Sequence, residues 1–193
     1  MSSCSSETTP EASAPSTSGL RASAAHYVCV LTGDRLFSIA HPHEIIGDGL
    51  AYRVRGSLEA GICRDAEDDQ IFCSDGADTL PLNLIDIVEW AGLKPVKLDT
   101  SEFIKYWQRY IVALQHYLQV QVHDEDAADN LLLGAHQFAR SLLTRFEEHD
   151  ILLGASEDTR GPLVVLKYED DDPLTPQLHF LRLGVRRVDG TAD

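Results

Sequence analysis

The pattern of apolar residues changes period twice along this chain, and that double switch restricts its fold more than any other feature. Short apolar runs come first. At Asp99-Thr-Ser-Glu102 the spacing becomes helical, with an acid three residues after a capping Asp. Phe103, Trp107, Tyr110, Ile111, Leu114 and Tyr117 then fall at i, i+4, i+7, i+8, i+11 and i+14, the stripe of one helix face to about Leu118. Asp124, Glu125 and Asp126 place acids where a second helix would begin, which suits its dipole. Leu131, Ala135, Phe138, Leu142 and Phe146 mark that helix's apolar face. The short linker predicts an antiparallel helical hairpin over about residues 99–148. Gly134, next to Ala135, costs roughly 1 kcal/mol in mid-helix and is expected to permit a close helix crossing. The aromatic stripe is read as core.

Strand-like segments flank this hairpin. Tyr27-Val-Cys-Val-Leu31 and Arg35-Leu-Phe-Ser-Ile39 are short buried runs, and Asp48-Gly49 is a turn signal. In Leu50-Ala-Tyr-Arg-Val-Arg-Gly56 the residues alternate. Leu50, Tyr52 and Val54 are expected on one face of a strand and Arg53 and Arg55 on the other. Leu82-Asn-Leu-Ile-Asp-Ile-Val88 reads as a further strand. Beyond the hairpin, Ile151-Leu-Leu153, Leu163-Val-Val-Leu-Lys-Tyr168 and Leu178-His-Phe-Leu-Arg-Leu183 are strands, with Glu169 to Pro176 as a hairpin-like turn. Strands, two helices, then strands, without regular βαβ alternation, predict an α+β domain with an antiparallel sheet. Residues 1–24 are rich in Ser, Thr, Ala and Pro and hold no aromatic side chain; they are expected to form a disordered tail before one domain over 25–190.

Composition narrows function by exclusion. The net charge of −15 disfavours nucleic acid and anionic membrane surfaces as partners. No apolar run approaches the roughly 18 residues of a bilayer span, and the expected location is the cytoplasm. The cysteines at 4, 29, 63 and 73 contain no CxxC pair, so no zinc knuckle is expected, and Cys29 reads as a small buried hydrophobe. His41-Pro-His43 reads as a solvated loop rather than a metal pair. The acidic runs holding Asp68, Asp69, Asp170 and Asp171 match no EF-hand; they are candidates for weak Ca²⁺ ligation within solvated loops. No phosphate loop, GxSxG elbow or HExxH helix is present, and no enzyme activity is expected. Arg53 and Arg55, with Arg35 on a neighbouring strand, are expected to form a basic face that docks an acidic partner. The competing expectation is that they pair with the acidic loop of their own chain.

Several motifs in order resemble the translationally controlled tumour protein family. They are Asp34-Arg-Leu-Phe-Ser38 followed by Glu44-Ile-Ile-Gly-Asp-Gly-Leu50, then Asp86-Ile-Val88, Lys105-Tyr106 with Tyr110, and Gly134-Ala135. Phe146, Gly154, Gly161 and Tyr168 follow at the family's intervals, then Thr175-Pro176 and Gly184, so the resemblance runs from Tyr27 to Val188. It implies a twisted antiparallel β-tent with an inserted α-helical hairpin. That shape is similar to a zinc-binding accessory protein of Rab GTPases, without the zinc cysteines. It further implies a non-enzymatic protein that regulates or chaperones Ras- or Rab-like GTPases in growth and survival, with Ca²⁺ and microtubule binding as other family properties. This chain departs from the family at charged positions. Ala155 and Arg160 replace expected acids, as do Arg35, Arg53 and Arg55, and the first long helix keeps only Lys105 and Arg109 as bases in its core span. These changes weigh against tubulin binding and against an unchanged GTPase contact more than against the fold.

Overall fold

The computed structural model describes residues 25–58, 85–169 and 172–190. Its strands form two antiparallel sheets. The smaller has the order β2-β1-β9, from β1 (His26–Cys29), β2 (Arg35–Ser38) and β9 (Val185–Val188). The larger has the order β3-β4-β8-β7-β6-β5. Its members are β3 (His43–Ile46), β4 (Ala51–Arg55), β5 (Lys94–Val96), β6 (Asp150–Leu153), β7 (Leu163–Glu169) and β8 (Asp172–Leu181). The fold is the expected α+β class with antiparallel sheets and an inserted helical hairpin.

Alternation along β6, β7 and β8 sends side chains into two separate cores. Ile151, Leu153, Leu163, Val165 and Leu181 meet the helices, while Leu152, Val164, Leu166, Leu178 and Phe180 meet the smaller sheet. Both faces of these strands are buried, which explains why they read as continuous apolar runs rather than alternating ones. Cys29, Leu36 and Phe37 close the second core from the smaller sheet, and the thiol of Cys29 is free and buried.

The helical hairpin forms where its local signals place it. The Asp99 carboxylate accepts from the Glu102 N–H at 2.8 Å, and the Glu102 carboxylate accepts from the Asp99 N–H at 3.0 Å, a complete capping box for α2 (Thr100–Tyr117). A π-helical turn, Leu118–Val122, ends at His123 in the left-handed conformation (φ 59°). Asp124 then caps α3 (Glu125–Leu143) through the Ala127 N–H. Phe103, Leu114, Leu131 and Leu142 are almost fully buried between hairpin and sheet. At roughly 1.5–3 kcal/mol each, their burial outweighs the cost of Gly134. The side-chain atoms nearest to Gly134 belong to Leu50 rather than to α2. The missing side chain of the glycine leaves space for Leu50, whose Cδ1 would lie 2.6 Å from a Cβ there. Leu50 therefore packs against the hairpin core and does not share a face with Tyr52 and Val54.

Three further sequence expectations need correction or completion. Asp86 to Val88 are not strand: they open a short helix, α1 (Asp86–Ala91), that buries Ile87, Val88 and Ala91. Six residues are too few to display a helical period, so alternating Leu and Ile dominated the reading. The expected Glu169–Pro176 turn is shorter, because β8 already begins at Asp172. Pro176 pairs with Tyr168 of β7 but lies beyond the end of β4, whose last partner is Arg55 with Gln177, so its missing N–H costs the sheet little. β5 and β9 were not legible as strands.

The loop between β6 and β7 is anchored on one carboxylate. Asp34 accepts from the Ser156 N–H at 3.1 Å, the Ser156 hydroxyl at 2.6 Å and the Thr32 hydroxyl at 2.8 Å. Tyr106 of α2 donates to the Asp158 carbonyl at 2.9 Å. Gly154 lies directly beneath Asp34, whose Cγ would be 2.8 Å from a Cβ at that position. The spacing of Gly154 and Gly161 thus has a physical origin: close backbone approach at the site where the loop meets the β1–β2 turn.

Candidate protein-docking site

The alternation of β4 buries Val54 in the second core and turns Arg53 and Arg55 to the opposite face, as the sequence predicts. That face is the one that carries the helical hairpin, because Arg53 is in register with His179, and His179 with Val165 of the hairpin core. The arginines stand just outside the area the hairpin covers. β3 sets Glu44 directly opposite Arg53. The Arg53 guanidinium donates to Glu44 Oε1 from Nε at 2.9 Å and approaches it with Nη2 at 2.7 Å, while Arg55 Nη2 is 3.9 Å from the same oxygen. Two guanidiniums thus share one carboxylate, and a positive charge is left over. The side chain of Arg55 is 56% exposed and that of Arg53 29%.

The register extends the positive margin across the sheet. Arg55 is opposite Gln177, which is opposite Lys167 of β7. Burial and then the charge of Arg145 push the Lys167 amine below its ordinary range. His179 is 6% exposed, and neither ring nitrogen has a hydrogen-bond partner. Burial, followed by Lys167, Arg53 and His149, lowers its pKa to about 3, so the ring is neutral at physiological pH. The margin therefore owes its charge to Arg53, Arg55 and Lys167. Two planar guanidinium forks and an amine on rigid strands suit carboxylate-bearing surfaces.

The remaining sequence-predicted residues lie elsewhere. Arg35 is on β2 of the smaller sheet, with its guanidinium carbon 5.9 Å from the centre of the Trp90 ring, so it does not extend the row of Arg53 and Arg55. Among the described residues the partner of Arg53 is Glu44, and the acidic loop that follows β4 lies outside them. Asp68, Asp69, Asp170 and Asp171 lie outside the described residues. Among the described residues, no group of three or more His, Cys, Asp and Glu side chains is placed to hold a metal. No described helix is long and apolar enough to cross a membrane.

His41 is buried rather than solvated, and His43 is only half-buried, on β3. His41 is 5% exposed, its Nδ1 accepts from the Ser38 N–H at 2.9 Å, and its Nε2 is 3.9 Å from the Asp86 carboxylate. Burial lowers its pKa despite Asp86. His43 stacks edge-on against Tyr27 and Tyr52 at 5.4 and 6.0 Å between ring centres. Proline between two histidines gave no local sign of this aromatic cluster, which is assembled from three strands. Glu44, Lys167 and His179 were also missed as members of the site. A lysine inside the apolar run of β7 is the signal that could have found Lys167.

Comparison with known proteins agrees with this architecture. The model of the family described as translationally controlled tumour protein matches residues 25–186. A homologue from Yarrowia lipolytica is 24% identical over 165 residues, covering 81% of this chain and 94% of that protein. Homologue 2 of Dictyostelium discoideum is 25% identical over 126 residues, 63% of this chain and 64% of its own length. The solved structure of the translationally controlled tumour-associated protein of Schizosaccharomyces pombe is similar in fold, with a TM-score of 0.65 at 23% identity over 84% of this chain and 98% of that one. The structure of the Caenorhabditis elegans protein gives 0.60 at 18% identity, over 88% of this chain and all of that one. With the family model matched across the sheets and the hairpin alike, the chain belongs to the translationally controlled tumour protein family.

Proposed function

We propose that this protein acts without catalysis, as a cytoplasmic adaptor that binds and regulates or chaperones a small Ras- or Rab-like GTPase. The positive margin of the larger sheet is its docking face. The observation that carries the reading is the convergence of Arg53 and Arg55 on the single carboxylate of Glu44, with Lys167 in the adjoining row. An acidic partner surface can compete with Glu44 or take up the charge left over, and fixed strands keep the ordering cost low. Family membership supports a protein-binding role, and the class of partner comes from what the family resemblance implies.

Pull-down with nucleotide-free Ras- and Rab-like GTPases at low ionic strength tests the reading. Arg53→Glu and Arg55→Glu should each reduce capture about tenfold or more, the loss expected when a contact charge becomes a repulsive one. Arg35→Glu, on the other sheet, should have a smaller effect. No capture by the unaltered chain, or capture indifferent to both β4 reversals, rejects it.

A further inference from the structure

We propose that the groove along the outer side of α2 is a second docking site, for an acidic amphipathic helix of another protein. The groove encloses roughly 750 Å³. Lys105, Arg109, Val112 and His116 line one side, at i, i+4, i+7 and i+11 on a single line of the helix. At about 1.5 Å per residue this wall is about 17 Å long, three helical turns. Leu31 and Arg160 form the facing wall.

Charge selects the occupant. Acids outnumber bases 31 to 16 in this chain, yet among the described residues no carboxylate residue lines the groove. Lys105 and Arg109 form no ion pair among the described residues, so their charges are available to a partner. Arg160 is held by Asp158, which it contacts at 2.7 Å. The groove also has an apolar component that a purely ionic partner would not use. Val112 is 63% exposed on the solvent side of α2, beside Leu31, Ala113 and Tyr117. A straight wall with apolar and cationic side chains one turn apart matches a helix with apolar residues at i, i+3, i+4 and i+7 and acids on its flanks.

Both walls are held in place before any partner arrives. Tyr106 of α2 binds the carbonyl of Asp158, and Asp34 binds Ser156, so the loop carrying Arg160 is tied to the helix it faces. Little ordering is then required on binding. The site does not involve Arg53, Arg55 or Lys167 and does not depend on the GTPase reading.

The probe is a fluorescein-labelled synthetic helix of about 16 residues, with Leu at i, i+3, i+4 and i+7 and Glu at the flanking positions, titrated into the full chain. Saturable binding that weakens with salt is expected. Arg109→Glu and Val112→Glu should each weaken it about tenfold or more, Lys105→Glu several-fold, and Arg53→Glu should leave it unchanged. These α2 positions are solvent-facing, and circular dichroism of each variant confirms that it folds; Arg109→Gln and Val112→Ser provide milder substitutions with the same expected direction. Absence of binding overturns the proposal. So does equal affinity for a poly-Glu peptide of the same charge or for a probe with Lys in place of Glu. Binding indifferent to both Arg109→Glu and Val112→Glu does the same. A concentration-dependent dimer lost on Val112→Glu would give the groove to a second copy of this chain and overturn it as well.

Discussion

The hydroxyl of Tyr110 is buried with no hydrogen-bond partner, although the residue is only 1% exposed. Burial, and then the neighbouring Cys29 thiol, push its pKa well above the ordinary phenol value. Gly184 lies against this oxygen and has no side chain to offer it. An unmade hydrogen bond inside a core costs roughly 1–3 kcal/mol, whereas the ring itself stabilises through its area. Tyr110→Phe should therefore leave stability unchanged or raise it by up to about 1 kcal/mol, read as the urea midpoint at constant slope. The placement of Tyr110 in the core was legible from the helical spacing of its neighbours. The isolation of its hydroxyl was not, because it is created by a glycine after β8. His41 shows the same limit: its single acceptor bond is local, but the burial that lowers its pKa comes from α1.

At the level of elements, legibility followed the length of the local signal. α2 and α3 each run for about five turns and open on capping Asp residues, so their stripes and their starts point to the same boundaries. α1 has no side-chain cap and too short a span to show a period. β5 holds Pro95 and lies at the sheet edge, a place where proline is tolerated but which no local pattern announces. The acidic candidates for Ca²⁺ stay without a structural setting, since they fall outside the described residues, and the arginine pair was legible because period-2 alternation alone fixes a shared face. The β6–β7 loop is the element most dependent on a single side chain. Gly154→Ala would drive a methyl group into Asp34 and loosen its bonds to Ser156. A loss of about 1–3 kcal/mol in urea unfolding is expected, with the β1–β2 turn and this loop losing amide protection together. Unchanged stability would mean that the loop relaxes freely.

Across the whole molecule, charge and pH set the stability. The chain carries a net charge of −15, yet the buried, neutral His179 stands beside Arg53 in the positive margin. The folded pKa of His179, about 3, lies below the unfolded value of 6.5. The unfolded state therefore binds the extra proton first. The stability associated with neutral His179 is complete above pH 6.5 and declines as pH falls from there towards 3. One proton per pH unit corresponds to about 1.4 kcal/mol, so unfolding at pH 5 should cost on the order of 2 kcal/mol less than at pH 7. Chemical denaturation across this range should show the decline in the unaltered chain and a flatter profile for His179→Phe. Equal slopes for the two would rule out His179 as the source.

The order of strands in the two sheets also governs when the protein can be completed. β1, near the start of the domain, has β9 as a neighbour, and β4 is paired with β8. The pairing of α2 with α3 is local in sequence, but the larger sheet, which buries their apolar faces, does not close until β8 exists, nor the smaller sheet until β9 does. During synthesis the two helices can therefore pair while β1 and β4 wait, one edge of each unpaired, for β8 and β9 to be made.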